Sequence, residues 1–186
     1  MLRARSANIR LLEFAGPTSG APGGTLTYRS FTGGLLAQEA DGLPPDPARW
    51  EHKAGPAPSA SQVAAAAALE IVVRSMSSNA VAIGGPDPAS PGAVRLFGGG
   101  VGQVDRVTAC RLAVEKARAS AAELVPGAVA VSDAFFPFPD GPQILIDAGV
   151  GVIVHPGGSK RDQETFDLCA GRGVTCLVTG VRRFRH

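Results

Sequence analysis

Residues 150–170, VGVIVHPGGSKRDQETFDLCA, carry the reading that decides the fold. Val150–Val154 is an apolar run of strand length, suited to burial on both faces. His155-Pro156-Gly157-Gly158-Ser159 makes a turn. Asp162–Ala170 predicts a helix ended by Gly171 or Gly173, and Val174–Val178 predicts the next strand. The same strand–turn–helix unit recurs upstream. Ala128–Val131 is a short buried-type strand, and Gln143–Ala148 a short helix. Val94–Phe97 leads through Gly98-Gly99-Gly100-Val101-Gly102 to Asp105, which can cap a helix from Arg106 to about Ser120. Val107, Cys110, Val114 and Ala117 fall there at helical spacing. Asn79–Ile83 reads as a strand, and Gln62–Met76, with Ser61 as its cap, as a helix. Strand and helix in alternation predict an α/β domain with a mostly parallel sheet. Before residue 61 the pattern loosens. Residues 16–24 are a Gly/Pro loop, Thr25–Tyr28 and Leu35–Gln38 are candidate strands, and 41–59 is proline-rich and irregular. The expectation is a single domain over 1–186, with 1–60 wrapping a 61–186 core.

The composition bounds what such a domain can be. With 186 residues, 45% of them apolar and 18% charged, the chain can bury a real core. A formal net charge of +2 argues against a general nucleic-acid binder. Cys110, Cys169 and Cys176 form no CxxC pair and do not read as a disulfide framework. These thiols, with His52, His155 and His186, lack the spacing of metal ligands, so no metal is expected. No apolar signal region precedes a cleavage site, and the best apolar run, Val63 to Val73, is broken by Glu70. A soluble cytoplasmic protein is expected, without a nucleic-acid or membrane partner.

Four segments could carry chemistry. The glycine cluster at 98–102 suits either backbone approach to a phosphate or a loop with several positive φ angles; it lacks the P-loop and dinucleotide spacings. The 155–162 turn offers backbone donors, a hydroxyl and two cations to an anion, or is simply a tight turn with solvated charges. Asp133 to Asp140 packs Phe135, Phe136 and Phe138 with two prolines. That suits a slot for a planar ring, with at least one phenylalanine going into the core. The tail, Arg182 to His186, follows a buried strand, so its arginines either hold one cation in place to clamp a phosphate or simply solubilise a chain end.

Taken together these segments are far more specific. Ser132-Asp133-Ala134-Phe135-Phe136-Pro137-Phe138, then Pro156-Gly157-Gly158-Ser159 with Arg161-Asp162, then Thr179-Gly180, Arg182 and Phe184-Arg185-His186 resemble, in this order, the motifs of AICAR transformylases. Ser78-Asn79-Ala80, Gly100-Val101-Gly102-Gln103 with Arg106-Val107, and Tyr28 through Gln38 resemble that family's upstream segments. The resemblance implies a three-layer α/β/α, cytidine-deaminase-like unit without a zinc site, matching the second of the family's two units. It implies formyl transfer from 10-formyltetrahydrofolate to the amine of AICAR or a similar heterocycle. It implies Asn79 near the reacting amine as the catalytic contact, Arg106, Phe135 and Arg182 on the nucleotide, and Val107, Asp140, Ser159 and Lys160 facing the folate. It further implies a homodimer, or a heteromer with a chain carrying the first unit, because the family's catalytic Lys-His pair has no counterpart here. The chain departs from the family at Ser77, Pro139, Val181 and Arg183. Two alternatives follow: a stand-alone homodimeric enzyme with a changed reaction in specialised metabolism, and a non-catalytic nucleotide- or folate-binding or assembly protein.

Overall fold

The computed structural model describes residues 26–39 and 41–185. The loop expected at 16–24 and His186 of the tail lie outside the described residues. The chain divides into two compact units, Met1–Leu43 and Pro44–His186. In the first, β1 (Leu26–Phe31) and β2 (Gly34–Glu39) form an antiparallel hairpin running from Leu26↔Glu39 to Phe31↔Gly34. Gly33 turns the chain at φ +95°, a conformation that side chains resist.

The second unit contains β3 (Glu51–Ala54), α1 (Ala60–Arg74), β4 (Val81–Pro86), β5 (Val94–Gly100), α2 (Arg106–Ala121), β6 (Val129–Ser132), α3 (Asp140–Asp147), β7 (Val152–His155), α4 (Asp162–Gly171) and β8 (Thr175–Val178). Its strands form one mixed sheet in the order β3-β8-β7-β6-β4-β5. The β6/β7 and β7/β8 pairings are parallel, and β3/β8, β4/β6 and β4/β5 are antiparallel. Strands β5 to β8 therefore run one way, and β3 and β4 run against them.

Strand alternation sends neighbouring residues to opposite faces. Val81, Ile83, Ala130, Ile153 and Cys176 pack with Ala109, Cys110 and Ala113 of α2, Leu145 of α3 and Cys169 of α4. Ala82, Val129, Val131, Val152, Val154 and Leu177 pack with Ala65, Ala66, Leu69 and Val73 of α1. Helices thus cover both faces of the sheet.

Several local expectations are corrected. Ser59, not Ser61, caps α1: its hydroxyl accepts from Gln62 N–H at 3.2 Å, and Gln62 Oε1 accepts from Ser59 N–H at 2.9 Å. That reciprocal pair satisfies two donors at once, which a serine already at the second helical position cannot do. The stretch read as irregular, 41–59, supplies β3, which gains its strand conformation from pairing with β8. Helix α3 begins at Asp140, earlier than Gln143, with Pro142 tolerated in its first turn. The glycines at 98–100 are not a loop but the end of β5. A Cβ on Gly100 would stand 1.9 Å from Ala109 O, and one on Gly98 2.4 Å from Ala113 O. Their lack of a side chain lets the backbone of α2 lie directly on the strand, and the phosphate-loop reading of this cluster is withdrawn. Asp105 does cap α2 as expected, accepting from Thr108 N–H at 2.7 Å and Thr108 Oγ1 at 2.8 Å.

Candidate functional site

Every segment singled out in the sequence arrives at one edge of the sheet. The register places Val81 at the start of β4 opposite Gly100 at the end of β5 and Ser132 at the end of β6. Val131, Val154 and Leu177 continue the row across β7 and β8. Asn79, the 101–106 connection, the 133–140 segment, the 156–162 turn and the tail all leave from this edge. The carboxyl ends of parallel strands are where open α/β sheets hold ligands.

Asp133 is the hub beneath the edge. Its side chain is fully buried; Oδ1 accepts from Ala80 N–H at 3.1 Å and pairs with the Arg106 guanidinium. Arg106 also donates to Ala80 O at 3.3 Å and Ser132 Oγ at 3.2 Å. Asp133 O accepts from Arg183 N–H at 2.9 Å. One residue thus joins β4, α2, β6 and the tail. Asn79 is tied to the connection before α2, its Nδ2 donating to Gln103 O at 2.7 Å and its N–H donating to the same oxygen at 3.1 Å. Its side-chain oxygen remains an acceptor.

Beside this hub, Arg182 lies over the Phe135 ring, its Cζ 5.0 Å from the centroid. The guanidinium stays exposed while its charge faces the ring's electron-rich side. Arg182 Nη2 also comes within 3.3 Å of the point a Gly158 Cβ would occupy, and Gly158 has φ +96°. The positive φ is the reason position 158 favours glycine. Phe136 is 1% exposed and enters the core, whereas Phe138 is 48% exposed and lies under Arg161 at 4.7 Å. Arg161 is fixed in turn by a two-pronged bond to Glu164, at 2.6 and 2.7 Å.

The 157–159 turn does not offer its backbone donors to an anion. Gly157 N–H is taken by His155 Nδ1 at 3.1 Å, and Gly158 and Ser159 N–H by Asp162 Oδ2 at 2.7 and 3.2 Å. What the turn presents outward is exposed Lys160, while the Oγ of half-buried Ser159 accepts from Arg161 N–H at 3.1 Å. Val107 is half-buried in the first turn of α2, and exposed Asp140 opens α3 with Oδ1 accepting from Gly141 N–H at 2.8 Å. The structure thus brings Phe135, Arg182 and Gly158 into contact and joins Asp133, Arg106 and Ala80. Sequence reasoning quoted Asp133 only as part of a motif and missed its partnership with Arg106. The signal was an acid just after a short, mostly apolar strand.

His155 lies beneath the turn, fully buried, with Phe136 edge-on at 5.5 Å and Phe166 at 6.1 Å. Since Nδ1 accepts from Gly157, the proton sits on Nε2, which faces Cys176 Sγ at 3.6 Å. Burial pushes this imidazole from 6.5 down to about 4, against the opposing pull of Asp162. The unfolded chain therefore binds a proton that the folded chain refuses as pH falls below about 6.5. Stability from this group is complete above that pH and is lost toward pH 4, by about 3 kcal/mol in total. Urea midpoints measured from pH 7.5 to 4.5 should show this decline, and His155→Gln should flatten it. An equal decline in the variant would assign it to other groups.

Among the described residues no helix is long and apolar enough to cross a membrane, and no cluster of three His, Cys, Asp or Glu side chains could hold a metal ion.

Comparison with known proteins adds two findings. The family model described as AICARFT/IMPCHase bienzyme matches residues 1–116. The bifunctional purine biosynthesis protein PurH of Cutibacterium acnes is 45% identical over 186 residues, covering 98% of this chain and 33% of that protein. The chain spans about a third of the length of this curated relative.

Proposed function

Because the chain belongs to the AICARFT/IMPCHase bienzyme family, we propose that it supplies the nucleotide- and folate-facing wall of a formyl-transfer site, in which the formyl group of 10-formyltetrahydrofolate passes to the 5-amino group of AICAR. The observation that carries this reading is Arg182 seated on Phe135 at the carboxyl edge of the sheet. A ring-stacking face and a fixed cation side by side suit an aromatic base joined to a phosphate.

The chemistry explains what such a wall must do. The amine of AICAR is a weak nucleophile because the ring and carboxamide withdraw its electrons. It attacks the formyl carbon, a C–N bond forms, and the bond from that carbon to the folate nitrogen breaks. One proton leaves the amine and one reaches the departing nitrogen. Positioning and stabilisation of the developing oxyanion supply most of the acceleration in such transfers. In this reading Asn79 accepts a hydrogen bond from the reacting amine. Phe135 and Arg182 hold the nucleotide, and Arg106 supports that wall from below through Asp133. Val107, Asp140, Ser159 and Lys160 face the folate. The Lys-His unit that moves the proton lies outside these 186 residues, on the segment that carries the family's first unit.

The departures from the family are compatible with this function. Ser77 gives its carbonyl to Gly102 N–H at 2.7 Å, Pro139 immediately precedes α3, and Arg183 is buried.

The test combines turnover and binding. The purified chain is mixed with AICAR and 10-formyltetrahydrofolate, and formylated nucleotide is sought by mass spectrometry. The chain alone should bind AICAR without turning it over, and turnover would place the base within these residues. In calorimetry, Arg182→Ala should weaken AICAR binding by about tenfold to a hundredfold, the scale of one charge-assisted contact. Unchanged affinity would remove Arg182 from the site.

A further inference from the structure

The segment after β8 carries an exposed arginine beside a deeply buried one. Arg183 is 4% exposed and donates from Nε to Glu70 Oε1 at 2.9 Å, and Glu70, on α1, is 3% exposed. Glu70 Oε2 is buried without a hydrogen-bond partner among the described residues, so the bond to Arg183 is the one that holds this carboxylate. A charge pair at such depth adds little net stability, because desolvation offsets the attraction. Its contribution is placement: it joins residues 113 positions apart in the chain.

The main chain on either side is also tied. Gly180 N–H donates to Pro156 O at 3.2 Å and Arg183 N–H to Asp133 O at 2.9 Å. Arg185 N–H donates to Ser78 Oγ at 3.0 Å, and its guanidinium to Ser75 O at 2.8 Å. Arg182 stands between these anchors. Drawing the Arg183 side chain inward to α1 fixes the direction in which its neighbour leaves the chain, toward Phe135.

The geometry points to Glu70 and Arg183 as a positioning pair for Arg182: a buried strut that sets the stacked guanidinium without touching any ligand. The effect on nucleotide affinity rests on the formyl-transfer reading above; the effect on stacking does not.

The test uses the full chain with isotope-labelled arginine. In the wild type the Arg182 Nε–H proton should be shielded by the Phe135 ring; Arg182→Lys identifies the signal and Phe135→Leu should abolish the shielding. In Glu70→Leu the shielding should be lost, and AICAR binding should weaken by about tenfold. Glu70→Gln keeps an acceptor for Arg183 and should restore the shielding, with affinity within about threefold of the wild type. A folded Glu70→Leu variant with shielding unchanged overturns the proposal. If that variant does not fold, Glu70→Leu with Arg183→Met removes both charges and is read the same way: lost shielding supports the strut and retained shielding overturns it. If the wild type binds no AICAR, the formyl-transfer reading fails, while the shielding comparison still decides the role of the pair.

Discussion

Replacing Asp133 with alanine should lower the unfolding free energy by about 3–5 kcal/mol, the cost of stranding a buried charge. The side chain of Arg106 is 7% exposed and pairs with Asp133 Oδ1, so the substitution leaves a guanidinium in the interior without its counter-charge. Ala80 N–H loses its acceptor in the same step. The bonds from Arg106 to Ala80 O and Ser132 Oγ remain, but neither group is charged. Urea unfolding of wild type and variant measures the loss. Asp133→Asn with Arg106→Met removes both charges and should recover most of it. A loss below about 1 kcal/mol for the alanine variant would mean that water reaches Arg106, and that the hub is not closed.

Gly100→Ala should be of similar severity for a different reason. The added methyl would stand 1.9 Å from Ala109 O and 2.7 Å from Ala109 C, both backbone atoms of α2. Neither can rotate away, so the helix must lift from the sheet. About 3 kcal/mol is expected, the upper end for overpacking. Gly99 provides the control. Its methyl would meet the far end of Met76 at 3.0 Å, on a flexible side chain. Gly99→Ala should therefore cost less than about 1 kcal/mol. Thermal unfolding of the two variants distinguishes them, and equal losses would remove the account of the glycines as helix seats.

The order of elements from α1 onward was legible because burial on a sheet and amphipathic helices leave periodic traces. The β7–turn–α4–β8 unit shows it: Val152, Ile153 and Val154 are an apolar run because both faces are covered. What was hidden depends on partners distant in the chain. The pairing of β3 with β8 has no local trace, since Glu51, His52 and Lys53 are all exposed. Glu70 broke an apolar run, and nothing in its local sequence marks it as buried. Its partner stands at the other end of the sequence, and no spacing rule connects them. The glycines at 98–100 were ambiguous because a missing side chain serves a phosphate and a packed helix equally well. Only the helix backbone above them decides between the two. For the candidate site, the motif segments predicted Phe135 and Arg182 together, and they are in contact. The resemblance put Arg106 on the nucleotide, and in the structure its guanidinium pairs with Asp133 in the interior.

Asp162 has a consequence for how this protein can change. Two amides of the Gly158–Ser159 turn are bound by the chain's own carboxylate, so the turn takes its shape from within. Ser159 belongs to that handle, because its Oγ accepts from Arg161 N–H at 3.1 Å. Exposed Lys160 is the interchangeable bit in the chuck, a position that can be altered while the grip stays the same.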